Sequence, residues 1–397
     1  MISHRASQTE DSITMAISAM AVQMRKEGKP VISFSAGEPD FKTPIYIQDA
    51  GIAAIREGKT TYTAASGIIE LKQAICTKLL QDNRLEYKTS NIVVSCGAKH
   101  SIYNALMALI NPGDEVIIPV PYWVSYPDQV NLVGGRSVFL PTTEATHFKI
   151  TAEQLTAAIT PKSKLLILCS PSNPTGMMYS RKELEAIARV VVEHSLLVIS
   201  DEIYEKLIYD DREGHVSIAE ISSDVKALTI VINGVSKAYS MTGWRIGYAA
   251  APAAIADAMG KIQSHCTSNP TTPSQWASVA ALTGNDSEIT AMKNEFHQRR
   301  DVMIAALNQI PTLSCVMPMG AFYAFPNVSK CYGKQSVSGE VTNSDSFCKL
   351  LLQDALVACV PGSGFGADDY IRLSYATSMT NITEGIQRIH QWVESLR

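Results

Sequence analysis

Five short runs dense in Val, Ile and Leu punctuate the middle of the chain: 91–95 (NIVVS), 114–120 (DEVIIPV), 163–170 (SKLLILCS), 196–202 (LLVISDE) and 227–234 (ALTIVING). None alternates apolar with polar. Each therefore reads as a strand covered on both faces, as in a parallel sheet. Helical patterns separate them. One is 99–110 (KHSIYNALMALI), stopped by Asn111, Pro112 and Gly113; another is 180–195 (SRKELEAIARVVVEHS), with Ser180 as N-cap. Strand and helix in alternation predict an α/β layer architecture with right-handed crossovers. From about residue 300 the pattern changes to a helix (297–310), a strand-like GAFYAFPNV (320–328) and a terminal helix (380–396). The expected organisation is an N-terminal segment (1–45) packing with a small α+β domain (296–397), around a large domain (46–295).

Sheets of this kind bind ligands at the carboxyl ends of their strands. There the runs stop on polar residues: Asn173 in PSNPTG, Asp201 with Tyr204, Lys237, and the loop Cys96-Gly97-Ala98-Lys99 leading into a helix. A lysine closing a buried strand is desolvated, which favours the neutral, nucleophilic amine. The first amides of a helix lack internal partners and cradle anions, so Ala98 and Lys99 suit a phosphate. Arg245 follows Lys237 by eight positions and offers a guanidinium that matches a phosphate bidentately. A carbonyl for Lys237, a phosphate for Arg245 and the cradle, and a ring nitrogen for Asp201 describe one ligand, pyridoxal 5′-phosphate. PGSGFG (361–366) lacks the spacing of a dinucleotide loop and reads as a tight turn.

Composition narrows the partners. The 397 residues carry a formal charge of −4 with no cationic block, so nucleic acid is not expected. Eight scattered cysteines without a C-x-x-C pair predict reduced thiols, and no histidine spacing suggests a metal. No run reaches the ~18 apolar residues of a membrane helix, and the N-terminus, with Glu10 and Asp11, does not read as a secretory signal. A cytoplasmic protein acting on small molecules is expected.

The chain also resembles, nearly end to end, the class I aminotransferases of the aspartate aminotransferase fold. The resemblance is carried by GVSKAYSMTGWRIG (234–247), GEPDF (37–41), TYTAASGIIELK (61–72), PYWVSYP (121–127), SPSNPTG (170–176), SDEIYE (200–205), GAFY (320–323) and RLSYATS (372–378). It is nearest to the bacterial branch with aspartate and prephenate aminotransferases. The resemblance implies fold type I: a mostly parallel seven-stranded sheet between helices, plus a smaller α+β domain. It implies Lys237 as Schiff-base lysine and general base, with Asp201 on the pyridine nitrogen. Tyr204 and Asn173 then bond the 3′ oxygen, and Trp123 stacks on the ring. Ala98, Lys99, Ser236 and Arg245 hold the phosphate, joined by Tyr62 from a second subunit of a homodimer. Arg372, Asn173 and the Gly37 backbone take the substrate α-carboxylate; Lys99, Ser12 and Thr14 take a side-chain carboxylate. Gly234 stands where many members carry a hydroxyl, and Tyr323 and Phe325 are expected to pack the small domain.

The implied reaction moves an amino group between L-aspartate or L-glutamate and 2-oxoglutarate or oxaloacetate, with prephenate also considered. Glu10 and Asp11 stand where prephenate-accepting relatives often carry a basic residue. LL-diaminopimelate, aromatic amino acids and carbon–sulfur lysis are the alternatives. A sensor fused to a DNA-binding module is not expected, since GEPDF begins at residue 37.

Overall fold

The computed structural model describes residues 2–3, 13–209 and 214–397. Twelve strands are numbered here in chain order. Seven make one sheet: β2 (Ile92–Ser95), β3 (Glu115–Val120), β4 (Arg136–Pro141), β5 (Ser163–Cys169), β6 (Leu197–Asp201), β7 (Thr229–Gly234) and β8 (Gly247–Ala250). Their order across the sheet is β2-β8-β7-β6-β5-β3-β4, and β8 alone runs antiparallel to its neighbours. All five predicted runs are strands. β4 and β8 were not predicted. β4 is the sheet's edge, where half its residues meet solvent, and β8 is the small-residue GYAA, whose apolar signal is weak.

Apolar layers cover both faces of the sheet. Leu165, Ile167, Ile199 and Ile230 pack with helix Ala98–Leu109, while Leu166, Leu168 and Val198 pack with helix Arg181–Glu193. The second helix starts where Ser180 predicts. Its hydroxyl accepts from the Glu183 N–H, and the Glu183 carboxylate accepts from the Ser180 N–H at 2.7 Å. Such a cap is worth about 1 kcal/mol and fixes the first turn.

Strand β1 (Ile32–Ser33) pairs in parallel with β10 (Val357–Ala358), and Ala21 and Val31 pack with Leu352 and Ala358. Beside them β11 (Val360–Pro361), β12 (Ile371–Ser374) and β9 (Tyr323–Ala324) make an antiparallel sheet in that order. GAFYAFPNV thus supplies two strand residues rather than a full strand. Gly362–Phe365 is a single 3-10 turn that Gly366 ends at φ 75°, the tight turn expected of PGSGFG. Residues 295 and 296 both lie inside the helix Ser287–Leu307. Among the described residues no helix is long and apolar enough to cross a membrane.

Candidate active site

β5, β6 and β7 run in register, with Cys169 level with Asp201 and Asp201 level with Ile232. Their carboxyl ends therefore open side by side onto one cleft of about 280 Å³. Lys237 enters it three residues beyond β7, on a turn closed by the Met241 N–H on the Ser236 carbonyl. Its Nζ donates to the Gly37 carbonyl at 2.5 Å. Burial, then the nearby Arg372 cation, pulls the amine down to about 8; Glu38 opposes this, and the smaller influences of Arg245 and Asp201 act in opposite directions. Near neutral pH this lysine keeps a usable fraction of free amine.

Asp201, 4% exposed, stands deeper. Its Oδ2 accepts from the Tyr126 hydroxyl at 2.6 Å and its Oδ1 from the Ile203 N–H at 3.3 Å. Burial raises the carboxyl to about 6, against those two hydrogen bonds. Trp123 lies above, edge-on to Tyr126 with ring centroids 5.3 Å apart, and the Lys99 Nζ is 4.9 Å from the Trp123 ring.

At one end of the cleft, Arg245 donates to the Thr242 carbonyl at 2.7 Å and the Cys96 carbonyl at 3.2 Å. This aims the guanidinium across the start of helix Ala98–Leu109, whose cap residue Gly97 has φ 89°. A Cβ on Gly97 would come within 2.3 Å of Arg245 Nη2, so the approach requires glycine. Ser236 is buried beside it, and burial together with Arg245 lowers the Lys99 pKa. Gly234 also has a steric reason. A Cβ there would meet the Gly247 Cα and the Ile246 carbonyl at 2.9 Å, which leaves no room for the hydroxyl side chain of other members.

At the other end, Arg372 on β12 is 2% exposed. One Nη donates to Asn173 Oδ1 at 3.0 Å, the other to the Ser35 carbonyl at 3.2 Å, and the buried Nε has no partner. The Tyr323 ring lies 4.5 Å from its Cζ, and the Tyr323 hydroxyl meets that of Tyr204 at 2.9 Å. Tyr323 lines the cleft and, as expected, also packs in the small-domain core. Phe325 packs there against Phe365 and Tyr370.

The sequence model described as "Aminotransferase class I and II" matches residues 29–389. The chain belongs to this family. An aspartate aminotransferase of Bacillus sp. strain YM-2 is 50% identical over 394 residues, 99% of each chain. An aspartate/prephenate aminotransferase of Nitrosomonas europaea is 46% identical over 391 residues, 98% of each. The crystal structure of the aspartate aminotransferase from Rhizobium meliloti superposes with a TM-score of 0.96 at 43% identity, covering 100% of both chains. The chain is an aminotransferase with the α/β fold of those enzymes.

In this aminotransferase one cleft gathers Gly37, Ala98, Lys99, Trp123, Asn173, Asp201, Tyr204, Ser236, Lys237, Arg245 and Arg372. Tyr62 is not among the residues lining it; its side chain is 89% exposed. Ser12 lies outside the described residues. Thr14 falls in the helix Ile13–Lys26, and its side chain lies outside what is described. Sequence reasoning missed Tyr126, which lies in the first turn of helix Ser125–Leu132; Trp123 precedes that helix, so no helical spacing linked the two. A cluster of Glu202, Glu205 and His215 gathers behind the site. The Lys78 ammonium, hydrogen-bonded to Glu205, supplies a cation there.

Proposed function

We propose that this aminotransferase exchanges the amino group of L-aspartate or L-glutamate with the oxo group of 2-oxoglutarate or oxaloacetate, using pyridoxal 5′-phosphate joined to Lys237. The observation that carries the reading is Lys237 itself. An amine pulled to about 8 stands between a buried carboxylate and two guanidiniums, each free to accept an anion. The residues present fit the cofactor: an amide cradle faced by Arg245, an acid for a ring nitrogen and an aromatic face at Trp123. When bound, pyridoxal phosphate supplies a carbonyl and a protonated ring that withdraws electrons from the substrate Cα.

The chain's own residues do the rest. Asp201, ionised at neutral pH because about 6 lies below it, holds the ring nitrogen's proton, and Tyr126 orients it. Tyr204 and Asn173 serve the ring oxygen, Trp123 covers the ring, and Ala98, Lys99, Ser236 and Arg245 take the phosphate. Arg372 and Asn173 orient the substrate α-carboxylate, and the Gly37 carbonyl receives the Lys237 amine. Lys237, freed when the substrate amine takes its place on the cofactor, would remove the Cα proton as general base. We assign the distal carboxylate to Lys99 with Ser12 and Thr14.

We propose further that the protein is a homodimer in which Tyr62 reaches the neighbouring subunit's phosphate. The exposed apolar side chains Ile45, Ile52, Ile55, Tyr62 and Ile69, close in sequence, support a buried face there. We place it in the cytoplasm, and set the border between its domains within helix Ser287–Leu307. Prephenate is included as an acceptor because the Nitrosomonas relative is named for it.

A panel of donors and acceptors, including prephenate and LL-diaminopimelate and compared by specificity constant, tests the reading. Dicarboxylate pairs should lead. Lys99→Ala should raise the KM for aspartate about tenfold or more while sparing alanine. Equal losses for both donors would confine Lys99 to the phosphate.

A further inference from the structure

The loop 60–67 combines a free side chain with a fixed backbone. Tyr62 projects into solvent, whereas buried groups of two helices outside the cleft hold the residues on either side of it. Thr272 Oγ1 donates to the Thr61 carbonyl at 2.8 Å. Gln275 Nε2 donates to Thr63 Oγ1 at 3.3 Å and to the Pro270 carbonyl at 2.8 Å, while its Oε1 accepts from the Ile68 N–H at 2.8 Å. Gln263 Nε2 donates to the Ala65 carbonyl at 2.6 Å and the Val94 carbonyl at 2.7 Å, and its Oε1 accepts from Asn104 at 2.9 Å. The loop closes on the sheet through the Val94 N–H on the Ser66 carbonyl at 3.0 Å.

Gln263 and Gln275 are both fully buried, at 0% exposure. Burying a side-chain amide costs free energy unless its donors and acceptor are satisfied. Here one donor contact of each amide goes to the same surface loop, at Ala65 and at Thr63. A loop otherwise free to move would lose that freedom on docking, which weakens any contact its tip makes. Pinning the backbone beforehand removes that cost and leaves only the Tyr62 side chain to settle.

We infer that Gln263, Thr272 and Gln275 are positioning residues that hold the loop so that Tyr62 is presented in one orientation to the phosphate bound by a second copy of this chain. The inference rests on the role proposed above for Tyr62. None of the three touches the cleft of its own chain. Gln263 also bonds Val94 and Asn104, next to the phosphate cradle, so the effect on cofactor affinity that must pass through Tyr62 is that of Thr272 and Gln275.

The test is a double-mutant cycle on the dissociation constant of pyridoxal phosphate, read from the visible absorbance of the holoenzyme on dilution. Thr272→Val keeps the side chain's shape, and Thr63→Val removes one acceptor of Gln275 while leaving its bonds to Pro270 and Ile68 in place, so the fold is spared. Tyr62→Phe should weaken cofactor binding about tenfold. Thr272→Val and Thr63→Val should each weaken it roughly three- to tenfold with Tyr62 present, and by less than about twofold in the Tyr62→Phe background. Equal losses in both backgrounds would overturn the inference, because the clamp would then act through the fold at large. So would unchanged affinity in both clamp variants beside a loss in Tyr62→Phe. No loss in Tyr62→Phe itself would remove the role of Tyr62, and the inference with it.

Discussion

The two ends of the cleft are built differently. Arg245 is exposed, donates to main-chain carbonyls, and sits beside the Gly97 turn that opens a helix. Its surroundings come from adjoining strand ends of one sheet. Arg372 is almost fully buried, and its partners come from distant parts of the chain: Ser35, Asn173 and the ring of Tyr323. Burial lowers its pKa, and its Nε is left without an acceptor. An anion at the first end meets a rigid, wet frame suited to a group that stays. At the second, a dry guanidinium gains its missing partner only when a carboxylate arrives, which favours a group that is exchanged at each turnover.

The largest expected effect lies between the ends. Lys237→Ala should lower turnover by at least about 10³-fold, since it removes both the nucleophile and the base. The protein should lose the visible absorbance that borohydride otherwise abolishes. Near-normal turnover in this variant would sink the mechanism. Next, Arg372→Leu should lower kcat/KM roughly 10²- to 10³-fold, the loss expected when a buried charge pair is broken. Cofactor affinity should hold. If affinity falls in parallel, the two ends are not separate and the contrast drawn above is wrong. Arg245→Gln should do the reverse. Cofactor affinity should drop roughly 10- to 100-fold, and KM for aspartate at saturating cofactor should stay put. The helix amides soften this loss.

Much of the Arg245 end was legible in the sequence, and little of the Arg372 end was. Asp201 and Lys237 each close or closely follow an apolar run, so strand periodicity plus the carboxyl-end rule locates them. Arg245 is found from them by its spacing of eight from Lys237 and its match to a phosphate. Arg372 was named through resemblance alone. Its placement depends on β12 pairing antiparallel with β9, which sets Ser374 opposite Tyr323, and on β1 joining β10. Those strands run two to four residues, too short for a period to register. The second role of Tyr323 was missed for this reason: nothing local tells a tyrosine in GAFY that only packs the core from one whose hydroxyl also reaches Tyr204. β8 escaped because its residues are small, so that β7 can lie close against it at Gly234 and Gly247.

The smallest effect expected is a shift along the pH axis, and it asks which end of the cleft governs the amine between them. An ordinary lysine gains reactivity about tenfold per pH unit up to roughly pH 10. Burial and the neighbouring cations bring Lys237 to about 8. Protonation blocks the amine, so reactivity must rise with pH and level off once the free amine predominates. For Lys237 the rise should flatten just above pH 8, with about a tenth of the plateau rate left at pH 7. The measurement is uptake by the cofactor-free protein of an aromatic aldehyde that carries no titrating group, followed by absorbance from pH 6 to 10. After burial, Arg372 is the largest influence lowering the amine, ahead of Arg245. Removing a cation stabilises the protonated form, so Arg372→Leu should move the inflection upward, and further than Arg245→Gln does. An inflection that remains near 10 in the unaltered protein would show that the amine is neither dry nor crowded by charge. A larger shift from Arg245→Gln would assign its control to the phosphate end.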